Sequence, residues 1–236
     1  MTPTPTLTPP PASPTAPATQ TSSLDLSDAP AATPIVPPVQ RRAELPAPPR
    51  LGATGRLVLG ERNPTVTLTR LQSGIGTVTI EAAASSDAGD LRLGAAYDLA
   101  SGITSTVQLA GGRRTAPPES RRPVLVASHD RYEQIGIDLR QVRELRRLVV
   151  YAFSENGMQL TWAGTLIVST SAGARIEIPL DGTESGQAAV LVSMYQVSGE
   201  FVVRSEKQGS FGSVRDACRA FGFDDISWVD DRTPVD

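Results

Sequence analysis

Short runs of alternating hydrophobic and polar residues fill the chain from about residue 51 onward and are separated by Gly, Asn and Ser. In the run TVTLTRL at 65–71, Val66 and Leu68 alternate with threonines, and ARIEIPL at 174–180 repeats this alternation. Because successive side chains of a strand point to opposite faces, the pattern predicts strands with one face in a core and one in solvent. The predicted strands are 56–60, 65–71, 76–83, 91–99, 103–110, 123–128, 135–139, 146–154, 160–170, 174–180, 188–197 and 199–206.

Two runs are apolar throughout, LVVYAF at 148–153 and AAVLVSMY at 188–195. A strand without alternation is typical of the centre of a sheet that is covered on both faces. Ser198 and Gly199 leave room only for a tight turn, so they predict a hairpin between the last two strands.

Helical spacing is confined to two segments, 140–145 and 212–223. In the second, Ser213 can cap the beginning and Gly222 can end the helix. On the same helix Cys218 falls on the apolar stripe, which predicts a buried thiol rather than a reactive one. The sequence therefore predicts an all-β fold, a two-sheet β-sandwich with one or two short helices.

The first fifty residues differ in composition from the rest of the chain. They hold fourteen of the twenty prolines and no aromatic residue, and the remainder is mostly Thr, Ala and Ser. Such a segment buries too little apolar surface to offset its chain entropy. We therefore predict a disordered Pro/Thr/Ala-rich tail at 1–52, a sandwich domain at 53–231 and a flexible C-terminus at 232–236.

Net charge and targeting signals indicate the kind of partner and the cell compartment to expect. The net charge of -3 gives no reason to expect nucleic acid as a partner. Prolines interrupt every candidate signal sequence, and no window of about twenty apolar residues predicts a transmembrane helix. A single cysteine suits a reducing compartment. These features favour the cytoplasm.

Few residue types suited to catalysis or metal binding are present. With one His and one Cys, the chain lacks the residues of most hydrolase and transition-metal sites, and it has no phosphate-binding glycine loop. No cofactor is expected, and calcium is the one metal to consider because carboxylates and backbone oxygens bind it. The weak candidate ligands are Asp98, Asp130 and Glu133. Asp87, Asp90 or Asp98 would have to close on Asp130 in space to complete a site, and solvated turns are the alternative interpretation.

The loop AGGRRTAPPESRRP at 110–123 is a candidate binding loop. It carries Arg113, Arg114, Arg121 and Arg122 around a Pro-Pro step. Four guanidinium groups would attract an anionic lipid or an acidic partner subunit. A solvated hairpin loop explains the same residues.

A series of short motifs runs in one order through residues 56–230: LRLGAAYDLASG, STVQLAGG, HDR, RRLVVYAFSENG, AGTLIV, IEIPLDG, AAVLVSMYQVSGEFVVRSEKQ and RAFGFDDISW. This order resembles the TerD-domain family of tellurium-resistance and general stress proteins, and within it the TerA-like branch. The resemblance implies a β-sandwich without established enzymatic activity. It also implies calcium binding through acidic loops, and a cytoplasmic or membrane-peripheral role beside other Ter-type proteins.

The calcium loops of that family are poorly kept in this chain. The family's Phe-Asp-Leu-Asp motif corresponds to LRLG at 91–94, so both carboxylates are missing and Arg92 brings a positive charge. The family's long acidic loop corresponds to SHDRYEQ at 128–134, with His129 in a carboxylate's place. Only Asp130 and Glu133 remain there, too few for the six to eight oxygens that calcium takes.

Three functions follow as hypotheses. The leading one is a TerD-like, non-enzymatic stress-response or tellurite-resistance module that acts by binding partners, with degenerate calcium loops. One alternative keeps a weak calcium site. Another is a small hydrolase or lyase that uses His129 and Asp130 as acid and base, because a histidine beside carboxylates titrates near neutral pH.

Overall fold

In the computed structural model, the chain is described over residues 47–84, 89–206 and 209–235. The prediction of a disordered tail therefore falls mostly outside the described residues, as does Asp87. The strands are β1 (Arg56–Val58), β2 (Thr65–Thr67), β3 (Thr77–Ala84), β4 (Leu91–Leu99), β5 (Thr104–Gln108), β6 (Thr115–Ala116), β7 (Leu125–His129), β8 (Glu133–Asp138), β9 (Leu145–Ser154), β10 (Gly164–Thr170), β11 (Arg175–Pro179), β12 (Ala188–Val197), β13 (Glu200–Ser205) and β14 (Ser210–Phe211). The α-helices are α1 (Arg70–Gly74) and α2 (Val214–Ala220), and 3-10 helices span Ala110–Gly112 and Leu139–Glu144.

The strands form two sheets, which confirms the predicted β-sandwich. One has the order β1-β11-β10-β3-β8-β7-β6 and the other β2-β13-β12-β9-β4-β5, with β14 extending the pairing of β12. All described pairs are antiparallel except β1 with β11. β12 and β9 lie in the middle of their sheet, as their apolar sequences predict.

The central strand β9 shows why both of its faces are apolar. Leu148, Val150 and Ala152 pack into the main core between the sheets. Val149 and Phe153 belong to a second apolar cluster with residues of α2. Because side chains alternate along a strand, this second cluster lies on the opposite face of the sheet and forms a third layer.

Helix α2 begins and ends with the residues that the sequence indicates. The Ser213 hydroxyl accepts a hydrogen bond from the backbone N–H of Asp216, and Gly222 adopts a positive φ of 73° just beyond the helix. Cys218 is buried in the second cluster, as the helical stripe predicts.

The first helix, α1, was not predicted. The run 65–71 is extended only as far as Thr67, and the helix follows it at 70–74. Thr69 and Gln72 form a capping box, in which each side chain bonds the backbone N–H of the other. Two backbone donors at the helix start are satisfied in this way, which outweighs the strand preference of the threonine-rich run.

Both predicted domain boundaries need correction. Thr67 donates its backbone N–H to the Pro49 carbonyl at 2.9 Å, and Leu51 is buried, so residues 47–52 belong to the folded domain rather than to the tail. At the other end Gln108 Nε2 of β5 donates to the Arg232 carbonyl at 3.2 Å, and Arg113 Nη2 donates to the Pro234 carbonyl at 2.8 Å. Residues 232–235 are therefore held against the sandwich and are not a flexible terminus.

Candidate functional site

The candidate site lies at the end of the sandwich where β4 and β8 begin. Glu133, the first residue of β8, is buried although it is a carboxylate. Its Oε2 accepts a hydrogen bond from the backbone N–H of Leu93 at 2.6 Å, and its Oε1 accepts one from Arg92 Nη1 at 3.1 Å. The carboxylate thus joins the two sheets through backbone and side-chain donors of β4.

Arg92 stands between two carboxylates. Besides Glu133, its Nε donates to Glu155 Oε2 at 2.8 Å. Burial disfavours the charged guanidinium, but the hydrogen bonds and charges of Glu133 and Glu155 raise its pKa overall. The positive charge of Arg92 therefore lies between two carboxylates at a partly exposed position.

Glu155 was missed by sequence reasoning, and Asp90 positions it. Asp90 accepts hydrogen bonds from Ser154 Oγ at 2.7 Å and from the backbone N–H of Asn156 at 2.6 Å, so it ties the turn around Glu155 to the start of β4. Burial of Asp90 opposes ionisation, yet these bonds lower its pKa overall. The signal available in the sequence was SENG, an acidic turn directly after a buried strand.

His129 and Asp130 lie in the hairpin between β7 and β8. His129 pairs in register with Glu133 and lines an open pocket of about 280 Å³ together with Arg92 and Glu155. In the described part of the chain, the side chains of His129 and Asp130 have no hydrogen bond or ion pair, and both residues are exposed. The acid and base pair of the hydrolase hypothesis is therefore not hydrogen-bonded.

Asp98 lies away from the other candidate calcium ligands. It accepts a hydrogen bond from Thr104 Oγ1 at 2.7 Å and forms an ion pair with Arg147. Five residues of extended strand separate it from Leu93, a distance of about 17 Å. Among residues 47–84, 89–206 and 209–235, no three His, Cys, Asp or Glu side chains converge to hold a metal ion.

The arginines of the 110–123 loop are divided between two environments. Arg113 Nη2 donates to the Pro234 carbonyl at 2.8 Å, and Arg113 and Arg114 line a groove of about 920 Å³ beside the C-terminal segment. Arg121 and Arg122 are exposed and do not line that groove. The structure therefore does not gather the four arginines into one site.

A tyrosine occupies the space above Gly94 of β4. The Tyr151 hydroxyl donates to Gln108 Oε1 at 2.8 Å, and Gly94 lies between them, paired in register with both residues. A Cβ on residue 94 would stand 2.5 Å from the Tyr151 ring. An aspartate therefore cannot occupy position 94 while Tyr151 keeps this conformation.

No protein-family model matches the chain, and no curated protein matches it. One solved structure to which it is similar is the crystal structure of the unknown-function protein SAV2460, at 17% sequence identity and a TM-score of 0.40. The similar region covers 57% of this chain and 92% of that one. A likeness of this extent assigns no function. Among the described residues, no helix is long and apolar enough to cross a membrane.

Proposed function

We propose that this chain is a TerD-like, non-enzymatic stress-response or tellurite-resistance module that acts by binding partners, and that its calcium loops are degenerate. The order of motifs described above supports the family resemblance. Other Ter-type proteins, or an acidic or membrane-peripheral assembly, would be the partners. The resemblance supports a cytoplasmic location, with a membrane-peripheral one as the alternative.

The ion pairs of Arg92 are the observation that carries the degenerate-loop part of the proposal. Calcium is bound by six to eight oxygens at about 2.3–2.6 Å. Here Glu133 and Glu155 already bond the Arg92 guanidinium, and the Asp90 carboxylate already accepts hydrogen bonds from Ser154 and Asn156. A calcium ion would have to displace Arg92 and separate Glu133 from the Leu93 backbone.

The surroundings of the single cysteine and the single histidine separately support the non-enzymatic part of the proposal. Burial raises the pKa of the Cys218 thiol to about 12, so the nucleophilic thiolate is absent at neutral pH. His129 has no hydrogen-bonded base or acid beside it in the described residues. Neither group is arranged for covalent or acid-base catalysis.

Calorimetric titration with calcium, together with thermal unfolding, tests the proposal. We expect no heat of binding and no rise in Tm up to about 1 mM calcium, the weak end of the range for protein calcium sites. Arg92→Lys, which keeps the charge, should behave like the wild type. A micromolar site accompanied by a clear rise in Tm in the unmodified chain would refute the degenerate-loop proposal and leave the calcium-binding alternative.

A further inference from the structure

The two asparagines of the sequence differ in the residue that follows each of them. Asn63 precedes Pro64, and Asn156 precedes Gly157. An asparagine loses its side-chain amide without an enzyme when the backbone nitrogen of the next residue attacks its side-chain carbonyl carbon. A proline nitrogen carries no hydrogen and cannot take this part, whereas glycine has no side chain that hinders the approach. Asn156 is therefore the asparagine at which this reaction can start.

The turn after β9 leaves Asn156 and Gly157 open to solvent. Both residues are exposed, and a Cβ built on Gly157 would find no heavy atom within 4 Å. In the part of the chain that the structure describes, the Asn156 side chain makes no hydrogen bond. Its amide is therefore free to rotate toward the following peptide, as expected of an exposed loop.

The backbone nitrogen of Gly157 is held weakly. Its N–H donates to the Ser154 carbonyl at 3.4 Å, which is longer than the usual range of about 2.7–3.2 Å. The neighbouring amides are held better: the Asn156 N–H donates to Asp90 Oδ2 at 2.6 Å, and the Met158 N–H donates to Ser154 Oγ at 2.9 Å. The turn is thus fixed on both sides of the Gly157 nitrogen, while that nitrogen keeps little protection.

We propose that Asn156 is a site of spontaneous deamidation, which gives this turn an additional carboxylate. The Gly157 nitrogen loses its proton to a solvent base and bonds to Asn156 Cγ; the Cγ–Nδ2 bond breaks, and Nδ2 takes up a proton from water and leaves as ammonia. Water then opens the cyclic imide. Opening at Cγ leaves aspartate, and opening at the main-chain carbonyl leaves isoaspartate. An amide and water thus become a carboxylate and ammonium, without an oxidant or a cofactor.

The product changes the charge beside the candidate site. The side chain of Glu155 bonds Arg92 at 2.8 Å, and its carbonyl accepts a hydrogen bond from Arg232. A carboxylate at position 156 would stand beside those of Glu155 and Asp90, and like charges repel. Isoaspartate also inserts a methylene into the main chain of the turn. We expect both products to loosen the turn. The inference is independent of the proposed function, because it uses neither calcium nor partner binding.

The first experiment detects the reaction by peptide mapping. The full chain is incubated in mildly alkaline buffer made with heavy-oxygen water, and the peptide that contains position 156 is measured by mass spectrometry. We expect this peptide to exchange its amide nitrogen for a labelled oxygen and to give two products that chromatography separates. Asn156→Gln is the matched control, since it keeps the amide and the charge but would need a larger ring; it should stay unmodified.

The same measurement in guanidinium chloride shows whether the fold permits the reaction. The folded chain should react within about tenfold of the rate of the unfolded chain, because an exposed turn opens at little cost in free energy. A greater slowing would show that the turn protects Asn156 and would overturn the proposal, as would equal labelling of Asn156→Gln.

The second experiment compares reacted and unreacted chains by hydrogen exchange. Anion exchange separates them, because the reacted chain carries an added negative charge. We expect faster exchange at 154–158 in the reacted chain. Asn156→Asp carries the charge without the longer main chain, so it should show the part of this change that comes from charge alone. Unchanged exchange in both would refute the expected loosening of the turn.

Discussion

Arg147 connects the outer layer to the sheet, and its replacement by methionine is expected to loosen that layer. From β9 its guanidinium pairs with Asp98, donates to the Phe221 carbonyl at 3.0 Å and also donates to the Gly222 carbonyl. It also lies 4.1 Å from the centre of the Phe223 ring. The two carbonyls belong to the end of α2, where backbone acceptors lack helical partners.

The size of the effect follows from these contacts. Each bond from a charged donor to a carbonyl is worth about 1 kcal/mol at a partly exposed site, and the contact with the ring roughly 0.5–1 kcal/mol. The ion pair with Asp98 adds at most about 1 kcal/mol, because the Arg147 side chain is 38% exposed and solvent screens the pair. We therefore expect Arg147→Met to lower the free energy of unfolding by about 2–4 kcal/mol.

Urea unfolding, followed by circular dichroism, measures this change. Arg146→Met is the matched control, because its neighbouring guanidinium makes a 3.3 Å bond to the Ala100 carbonyl at an exposed position. The control should change stability by less than about 0.5 kcal/mol. Faster hydrogen exchange at 214–220 in Arg147→Met would show that the outer layer opens first. If both variants unfold at the same urea concentration, the reasoning about Arg147 is refuted.

Further substitutions test the packing of β4 and the charge of Asp90, which directly precedes it. Gly94→Ala should lower the free energy of unfolding by about 2–3 kcal/mol, because its Cβ would meet the Tyr151 ring. Adding Tyr151→Leu should restore part of that free energy. Gly136→Ala is the control and should be tolerated, because the nearest atom to its Cβ would be 3.8 Å away. Asp90→Asn should destabilise at pH 7, since a lowered folded-state pKa contributes stability above the unfolded pKa. The difference in free energy of unfolding between the wild type and Asp90→Asn should shrink as the pH falls through the folded-state pKa of Asp90. A difference that stays unchanged down to about pH 2 would contradict this prediction.

Element positions that depend on neighbouring residues were predicted well. The bounds of β4 and β12 match the predicted runs 91–99 and 188–197, because alternation and apolar runs report which faces of a strand are buried. Ser213 and Gly222 marked the ends of α2 for an equally local reason, since capping involves only the nearest residues. The same local rule would have found α1 if the Thr69–Gln72 capping box had been weighed against the surrounding threonines.

The candidate site depended on contacts between distant residues. The sequence alone named Glu133 and Asp98 as calcium candidates, but it could not show that one bonds Arg92 and the other Arg147. Which acid meets which arginine is set by strand order and register, across 41 positions for Glu133 and 49 for Asp98. Short-range patterns therefore determined the strands and α2 of this protein, whereas only the tertiary structure decided the partners of its charged groups.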